Sequence, residues 1–558
     1  MNRSLQHVFS AVPRADIQRS VFNRDHTLKT AFDSGYLVPI YVDEALPGDT
    51  FSLDLSLFGR LSTMAVPVMD NLYIETFFFA VPNRLVWDNW QKFCGEQENP
   101  GDSTDYVVPV LASGVYGVGS LSDYFGLPVF PRLRNVSALW HRAYNLIWNE
   151  WFRDENLQQR AVVPKGDGPD QASYYPLRKR RKTKDYFTGA LPWPQKGPGV
   201  QVPIGQSAPV YGDGLSLALK TNLAFRSLSG SGLETLGMRT AKHDGTALPD
   251  GYPRLLDGNF SGTTYEHTPE ATGGLYTSSG IPTKEQLGSA SSGLVADLTQ
   301  ATATTINQLR EAFQIQRMYE RDAVGGTRYI ELLEAHFGVQ SPDARLQRPE
   351  YLGGSSSRIL VHPVAQQSAT DSTSPQANLA AFATASDTQH IFTKSFVEHS
   401  LIIGLVNVRA DLNYQQGTPR MFSRRTRFDY YWPALAHLGE QAILNKEIFT
   451  ADDGSPELID QDNAAFGFQE RWAEYRYKPS MITGKMRSGV SGSLDVWHLA
   501  QYFTSLPALN SSFVEENVPL DRVVAVTNEP QIILDASFGL KCARPMPVYS
   551  VPGLIDHF

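Results

Sequence analysis

The run Thr50–Leu57 alternates without interruption: Phe51, Leu53, Leu55 and Leu57 fall on one side, Ser52, Asp54 and Ser56 on the other. A period of two predicts a strand with one buried face. Tyr73–Val81 (YIETFFFAV) is rich in aromatic residues and predicts a more deeply buried strand. Comparable patterns return only late in the chain, at Leu401–Leu412, Val523–Thr527 and Gln531–Leu540. Strands at the two ends of a 558-residue chain must find each other across a long middle. Greek-key sandwiches and jelly rolls close in that way. The expected fold class is therefore mainly β, with long loop insertions and a few short helices.

The middle is divided by composition. Residues 1–30 are polar, with Arg3, Arg14, Arg19, Arg24 and Lys29 among single apolar residues, and read as an extended arm. Ser137–Phe152 has a helical stripe of Leu139, Ala143, Ile147 and Trp151, which predicts a core-facing helix. Eight prolines between 160 and 214 exclude a central strand there, because each removes a backbone donor. Residues 226–304 are rich in Gly, Ser and Thr and form an unusually long irregular insertion. The Ser/Thr/Gln/Ala stretch 353–390 reads as irregular as well.

Two helical patterns stand between those tracts. Ile306, Leu309 and Phe313 share one face, with Thr305 as cap and Gly325-Gly326 as the break. Ile330, Leu333 and Phe337 share a second face, with Thr327 as cap and Gly338 as the stop. Helices of ten to fourteen residues are not stable alone, so both faces are expected to be covered by the barrel or by a neighbouring subunit. The expected divisions are an arm at 1–30, a first jelly-roll part at 31–215, a variable insertion at 216–304, a helical support at 305–354 and a second jelly-roll part at 355–558.

Composition narrows the function. Apolar residues make up 42% of the chain, enough for a sizeable core. The formal net charge is −9, so any contact with nucleic acid must be local or made through a basic partner. Cys94 and Cys542 are the two cysteines, too few for a disulfide framework, and are read as ordinary buried thiols of a reducing compartment. The N-terminal residues lack an apolar signal core, and no run of about 18 apolar residues occurs, so no membrane span is expected.

Catalytic and metal motifs do not emerge. There is no G-x-x-x-x-G-K-[ST] loop and no G-x-S-x-G elbow. His362, His390 and His399 have no ligand spacing, and Asp452-Asp453-Gly454 with Asp460 and Asp462 reads as an acidic turn before a cation loop. No cofactor is expected. Two basic runs carry more information. Arg178, Lys179, Arg180, Arg181, Lys182 and Lys184 stand directly before Tyr186-Phe187. Arg420, Arg424, Arg425 and Arg427 are interleaved with Phe422 and Phe428 and followed by Tyr430-Tyr431-Trp432. Cations for phosphates and rings for bases suit single-stranded nucleic acid. An Arg-rich subunit interface fits the same residues.

Three segments resemble a known family. They are Phe32–Pro39 with Val42-Asp43-Glu44 and Pro47-Gly48-Asp49, then Leu191–Gly197 (LPWPQKG), and Ile306–Gly354, above all GGTRYIELLEAHFGVQSPDARLQRPEYLGG. All three are similar to the major capsid protein of gokushoviruses, small single-stranded-DNA phages of the Microviridae. The resemblance covers about residues 20–215 and 305 to the end. It implies an eight-stranded antiparallel jelly roll of the viral capsid type, self-assembled into a T=1 icosahedral shell in the virion. It further implies packaged circular single-stranded DNA, a small basic DNA-binding companion, and assembly in a bacterial cytoplasm. Residues 216–304 stand where the family carries a protrusion thought to touch a host receptor. A virion spike and a polysaccharide-active β enzyme are the alternatives.

Overall fold

The computed structural model describes residues 18–129, 133–200, 306–326, 328–338, 347–370, 375–451 and 455–549, together with short strands between 210 and 296. Two compact units are present, one comprising residues 1–198 and 318–558, the other Gly199–Arg317.

The first unit is built on one curled antiparallel sheet. Its strands are β1 (Ser20–Asn23), β2 (His26–Phe32), β3 (Val38–Ala45), β4 (Thr50–Leu61), β5 (Leu72–Pro82), β6 (Glu350–Ala365), β7 (Leu379–Ser395) and β8 (Ser400–Ala410). A small antiparallel pair, β9 (Glu440–Leu444) and β10 (Ala465–Glu470), stands apart, and β11 (Ile532–Arg544) returns to the main sheet. The order across the main sheet is β1–β11–β4–β7–β6–β5–β8–β3, with β2 also on β11. The sheet folds at β6 and β7, giving two facing layers, β2–β11–β4–β7 and β6–β5–β8–β3. This is the two-layer arrangement of a jelly roll. One long insertion leaves after β5 and returns at β6; a second leaves after β8 and returns at β11.

Side-chain periodicity explains the layering. In β4 the odd-numbered residues Phe51, Leu53, Leu55 and Leu57 are buried, and the even-numbered Asp54, Ser56 and Phe58 are exposed. β11 alternates in the same way, so Leu534, Ala536, Phe538 and Leu540 meet them inside. β8 is buried on both faces almost throughout. Its outer residues Leu401, Ile403 and Leu405 are covered by α1 (Leu139–Ile147), through Ala143, Tyr144 and Ile147. A continuous apolar run is what a strand with two covered faces requires. Pro39 lies in β3, an edge strand, where its missing donor costs little.

Buried polar groups tie α1 to the insertion around it. Arg142 donates twice to Asp170, at 2.7 Å each, and Tyr175 donates to the same carboxylate at 2.5 Å. The Tyr144 hydroxyl donates to the Leu37 carbonyl and accepts from the Arg178 N–H. His141 Nε2 lies 2.9 Å from Ser122 Oγ, with both residues buried. Burial pushes this imidazole down to about 4, against the opposing pull of Asp170.

The opposite ends of the folded sheet, β1/β2 and β3, share no backbone ladder. Side chains join them instead. Arg24 pairs with Asp43 at 2.6 Å, Arg544 donates to the Glu44 carbonyl at 2.6 Å, and His26 packs against both Phe538 and Tyr41, which also touch each other.

Two long strands, β6 and β7, occupy the stretch expected to be irregular. Small residues such as Gly353, Gly354, Ser355, Ala381, Ala383 and Ala385 mask their alternation, yet they are what the fold of the sheet admits. A Cβ on Gly353 would overlap the Ile391 carbonyl, and one on Gly354 the Thr76 carbonyl. Val523–Thr527 is not a strand. It follows the short helical turn Leu520–Arg522, and Val524 contributes one isolated bridge to Met64. The second unit contains the antiparallel strands Leu236–Arg239, Arg254–Asp257 and Thr264–Tyr265, and the pair Val210–Gly212 with Leu294–Ala296. It also contains the short pair Phe225–Arg226 with Leu233–Glu234; the rest of the 216–304 insertion lies outside the described residues.

Gly404 of β8 has no room for a side chain: a Cβ there would stand 2.5 Å from a Phe78 ring carbon and 2.9 Å from Tyr41 Cβ. Gly404→Ala should cost about 1–3 kcal/mol in denaturant unfolding. Gly539→Ala, with its nearest neighbour at 3.6 Å, should leave the midpoint in place. Because the folded pKa of His141 lies below its ordinary value of 6.5, its neutral form stabilises the fold fully above that value. That contribution falls away as pH drops from 6.5 toward 4. A plot of melting temperature against pH should be flatter in that window for His141→Gln.

Candidate nucleic-acid and subunit-contact surfaces

The first basic run is a stitch between three parts of the chain. Leu37 N–H donates to the Arg178 carbonyl and Arg180 N–H to the Gly35 carbonyl. On the other side Lys182 N–H donates to the Val514 carbonyl and Glu516 N–H to the Arg180 carbonyl. Consecutive side chains of such an extended segment point to opposite faces, and both faces are occupied here. Arg178 lies over the Trp148 ring and donates to Asn145 Oδ1 at 2.8 Å. Arg180 pairs with Glu75, which also receives Arg409 at 2.8 Å, and lies over Phe77. Lys182 is buried and donates to the Phe513 carbonyl at 2.7 Å. Burial pulls its ammonium down, opposed by Glu516 and Asp185. Lys179 lies over Tyr36, and Arg181 is 3.8 Å from Asp154. Of the six cations, Lys184 is the one that is exposed and, among the described residues, has no such partner. The run therefore presents less free charge than its composition suggests.

The second run lies in the insertion between β8 and β11, on a small core of Ile443, Ile448, Phe466, Ala473 and Phe513. Here the cations divide. Arg420 pairs with Glu447 at 2.6 Å, and Arg424 with Glu474 at 3.1 Å. Arg425 and Arg427 are exposed, with Arg427 over Phe428. The rings around them are exposed too: Phe422, Phe428, Tyr430, Tyr431 and Trp432 are about half open or more. Single exposed apolar residues are ordinary, but a contiguous patch marks an interaction surface. The cations here are evident in the sequence; Tyr475, Tyr477, Lys478 and Met481 reach the same surface from about fifty residues downstream. No local signal joins those two segments.

The helical block forms α2 (Ile306–Val324) and α3 (Tyr329–Phe337), nineteen and nine residues long. Gly325 and Gly338 stand just past their ends, and Gly338 is left-handed at φ 67°. The cap of α3 is Arg328, whose N–H donates to the Glu331 carboxylate at 3.2 Å; Thr327 and Thr305 lie outside the described residues. Arg328 also pairs with Glu150 and Glu155, which fixes α3 to the end of α1. The apolar faces are unevenly covered. Leu333 is half-buried, Leu309 is 37% exposed, Phe313 63% and Phe337 75%. The side chains of Ile306 and Ile330 lie outside the described set. The barrel of the same chain does not cover Phe337.

Among the described residues no catalytic group is assembled, and of the two thiols expected to be buried, Cys542 is and Cys94 is exposed. The Ser122–His141 pair is sealed from solvent, and Asp170 is committed to Arg142. Among the described residues no group of three His, Cys, Asp or Glu side chains is placed to hold a metal ion. Asp452–Gly454 lies outside those residues. Nor is any described helix long and apolar enough to cross a membrane.

A folded jelly-roll sheet with two large insertions and open aromatic surfaces is an architecture that viral shell proteins share with lectin domains and cupins. The family model for the capsid protein called F protein matches residues 10–554, and the chain belongs to that family. It is 44% identical to capsid protein VP1 of Bdellovibrio phage phiMH2K, covering 100% of this chain and 99% of the relative. It is also 44% identical to capsid protein VP1 of Chlamydia phage 1, over 99% and 98% of the two chains. Against capsid protein VP1 of Spiroplasma virus 4 the identity is 38%, over 98% and 97%. The relatives are gokushovirus-type Microviridae. This is a structural major capsid protein of a bacteriophage virion, not an enzyme.

Proposed function

We propose that the chain closes into a T=1 icosahedral shell around circular single-stranded DNA in the cytoplasm of a bacterial host. Residues 216–304 form its exterior protrusion and contact a host receptor. A small basic virion protein supplies the charge that this acidic chain lacks. The observation that carries the proposal is the pairing of a jelly-roll barrel with apolar and aromatic side chains left open in the single chain, from Phe337 to Trp432. Closed symmetry gives every such patch a partner, and many modest contacts sum to a stable particle. The exposed faces of α2 and α3 are then contacts between copies, and the arm, the barrel parts and the helical support keep the divisions given above.

Expression of the chain should yield isometric particles whose mass corresponds to roughly sixty copies. Trimers or monomers alone would reject the shell and favour a spike. Deleting part of 216–304 should leave that mass unchanged per retained residue while reducing attachment to host cells; failure to assemble would count against an exterior protrusion.

The DNA-facing reading of the basic runs now rests on their free members. Replacing Lys184, Arg425 and Arg427 together by alanine should lower genome retention most at low salt, with the deficit shrinking as salt rises. Arg180→Ala should instead act on stability, since it strips Glu75 of one of two cations. Equal genome content in the triple variant and the parent across a salt series would show that those three cations do not hold DNA.

A further inference from the structure

A groove of about 620 Å³ opens beside the second basic run, between residues 414–424 and 474–487. Its walls combine two kinds of group. Rings and thioethers come from both segments: Phe422 is 72% exposed, Tyr475 and Tyr477 52% each, Met421 and Met481 about half. Cations stand among them. The two carboxylates at the groove, Glu447 and Glu474, are already answered by Arg420 and Arg424. Lys478 and Arg487 are left in excess, with no carboxylate partner among the described residues; Arg487 donates to the Gln415 carbonyl at 2.6 Å. The Arg424 guanidinium lies 4.3 Å from the centre of the Tyr475 ring, so that ring is held in place before anything binds.

We infer that this groove holds unpaired nucleotides of the packaged strand, with bases against Phe422, Tyr475 and Tyr477 and phosphates at Lys478 and Arg487. The inference rests on the proposal that the shell encloses single-stranded DNA, and it assigns a place on the subunit to that contact. The chemistry selects the occupant. Unpaired bases offer flat faces to aromatic rings and a charged backbone to lysine and arginine. A duplex keeps those faces stacked and offers only edges and phosphates. An acidic peptide would use the cations and leave the rings unoccupied. Stacking needs no particular base, so the site is tolerant of sequence, as a packaged genome demands.

The test uses the purified full-length chain with fluorescent oligothymidylates of about eight nucleotides, within the span such grooves take. Tyr475→Ala with Tyr477→Ala should weaken binding by about tenfold or more, while Tyr477→Phe, which keeps the ring, should bind as the parent does. Lys478→Ala should reduce the slope of log affinity against log salt by about 0.7. In filled particles, bromodeoxyuridine-substituted DNA should crosslink to peptides spanning 420–424 and 474–487. Equal binding by the double variant overturns the inference. So does equal protection of the groove in empty and filled shells, which would make it a contact between copies. Filled particles of normal mass with crosslinks elsewhere also overturn it and leave the shell standing; absence of shells strikes the underlying proposal instead.

Discussion

The pairing of β11 with β4, from Ile532 against Leu61 to Ala543 against Thr50, is the constraint on which the rest depends. It joins segments nearly five hundred residues apart and places Leu534, Ala536, Phe538 and Leu540 opposite the apolar face of β4. A slip of one residue would turn both faces inside out, so burial fixes the register. Everything inserted between β5 and β6, or between β8 and β11, must therefore leave and return at set points on the barrel. Such a topology folds slowly, because long loops must close before the contacts that reward closure can form.

The insertions are not loosely hung on that frame. The Arg178–Lys182 segment hydrogen-bonds to residues 35–37 on one side and 514–516 on the other, so two insertions and the β2–β3 joint share one seam. The charges along it act within the chain. Glu75, on β5, receives Arg180 from one insertion and Arg409 from β8. Arg142 and Asp170 do the same at the base of α1, wholly out of water. Buried pairs of this kind contribute little net stability, but each is costly to break singly. They favour one arrangement of the insertions over its neighbours.

Much of the barrel was legible. β4, β5, β8 and β11 announce themselves by alternation or by apolar runs, and α1 by its stripe from Leu139 to Trp151. β6 and β7 did not, because sheet folding there selects Gly, Ser and Ala, which carry no hydrophobic signal. Val523–Thr527 looks like a strand through its valines, yet Val523 and Val524 enter the core from a turn and Val526 is exposed. The surfaces were harder. Local sequence shows that cations cluster; it does not show that Arg180 has Glu75 beside it, a hundred residues earlier. Nor does it show that Tyr475 and Tyr477 stand across a groove from Phe422. Family resemblance carried the role of the chain further than any spacing of residues did, since building a shell needs complementary surfaces and no motif.

The seam between β1/β2 and β3 is held by ions and stacked rings where a fully closed barrel would have backbone ladders. Such a joint parts without exposing a row of unsatisfied amides. Its outer members, Arg24 and His26, are partly open to water, whereas Tyr41, Phe538 and the Asp43 side chain are buried. The barrel is thus a clasp whose polar catch, Arg24 with Asp43, sits beside the buried rings of Tyr41 and Phe538. Cutting that catch would uncover part of the core between the layers, so closure of the barrel is entrusted here to side chains and not to backbone.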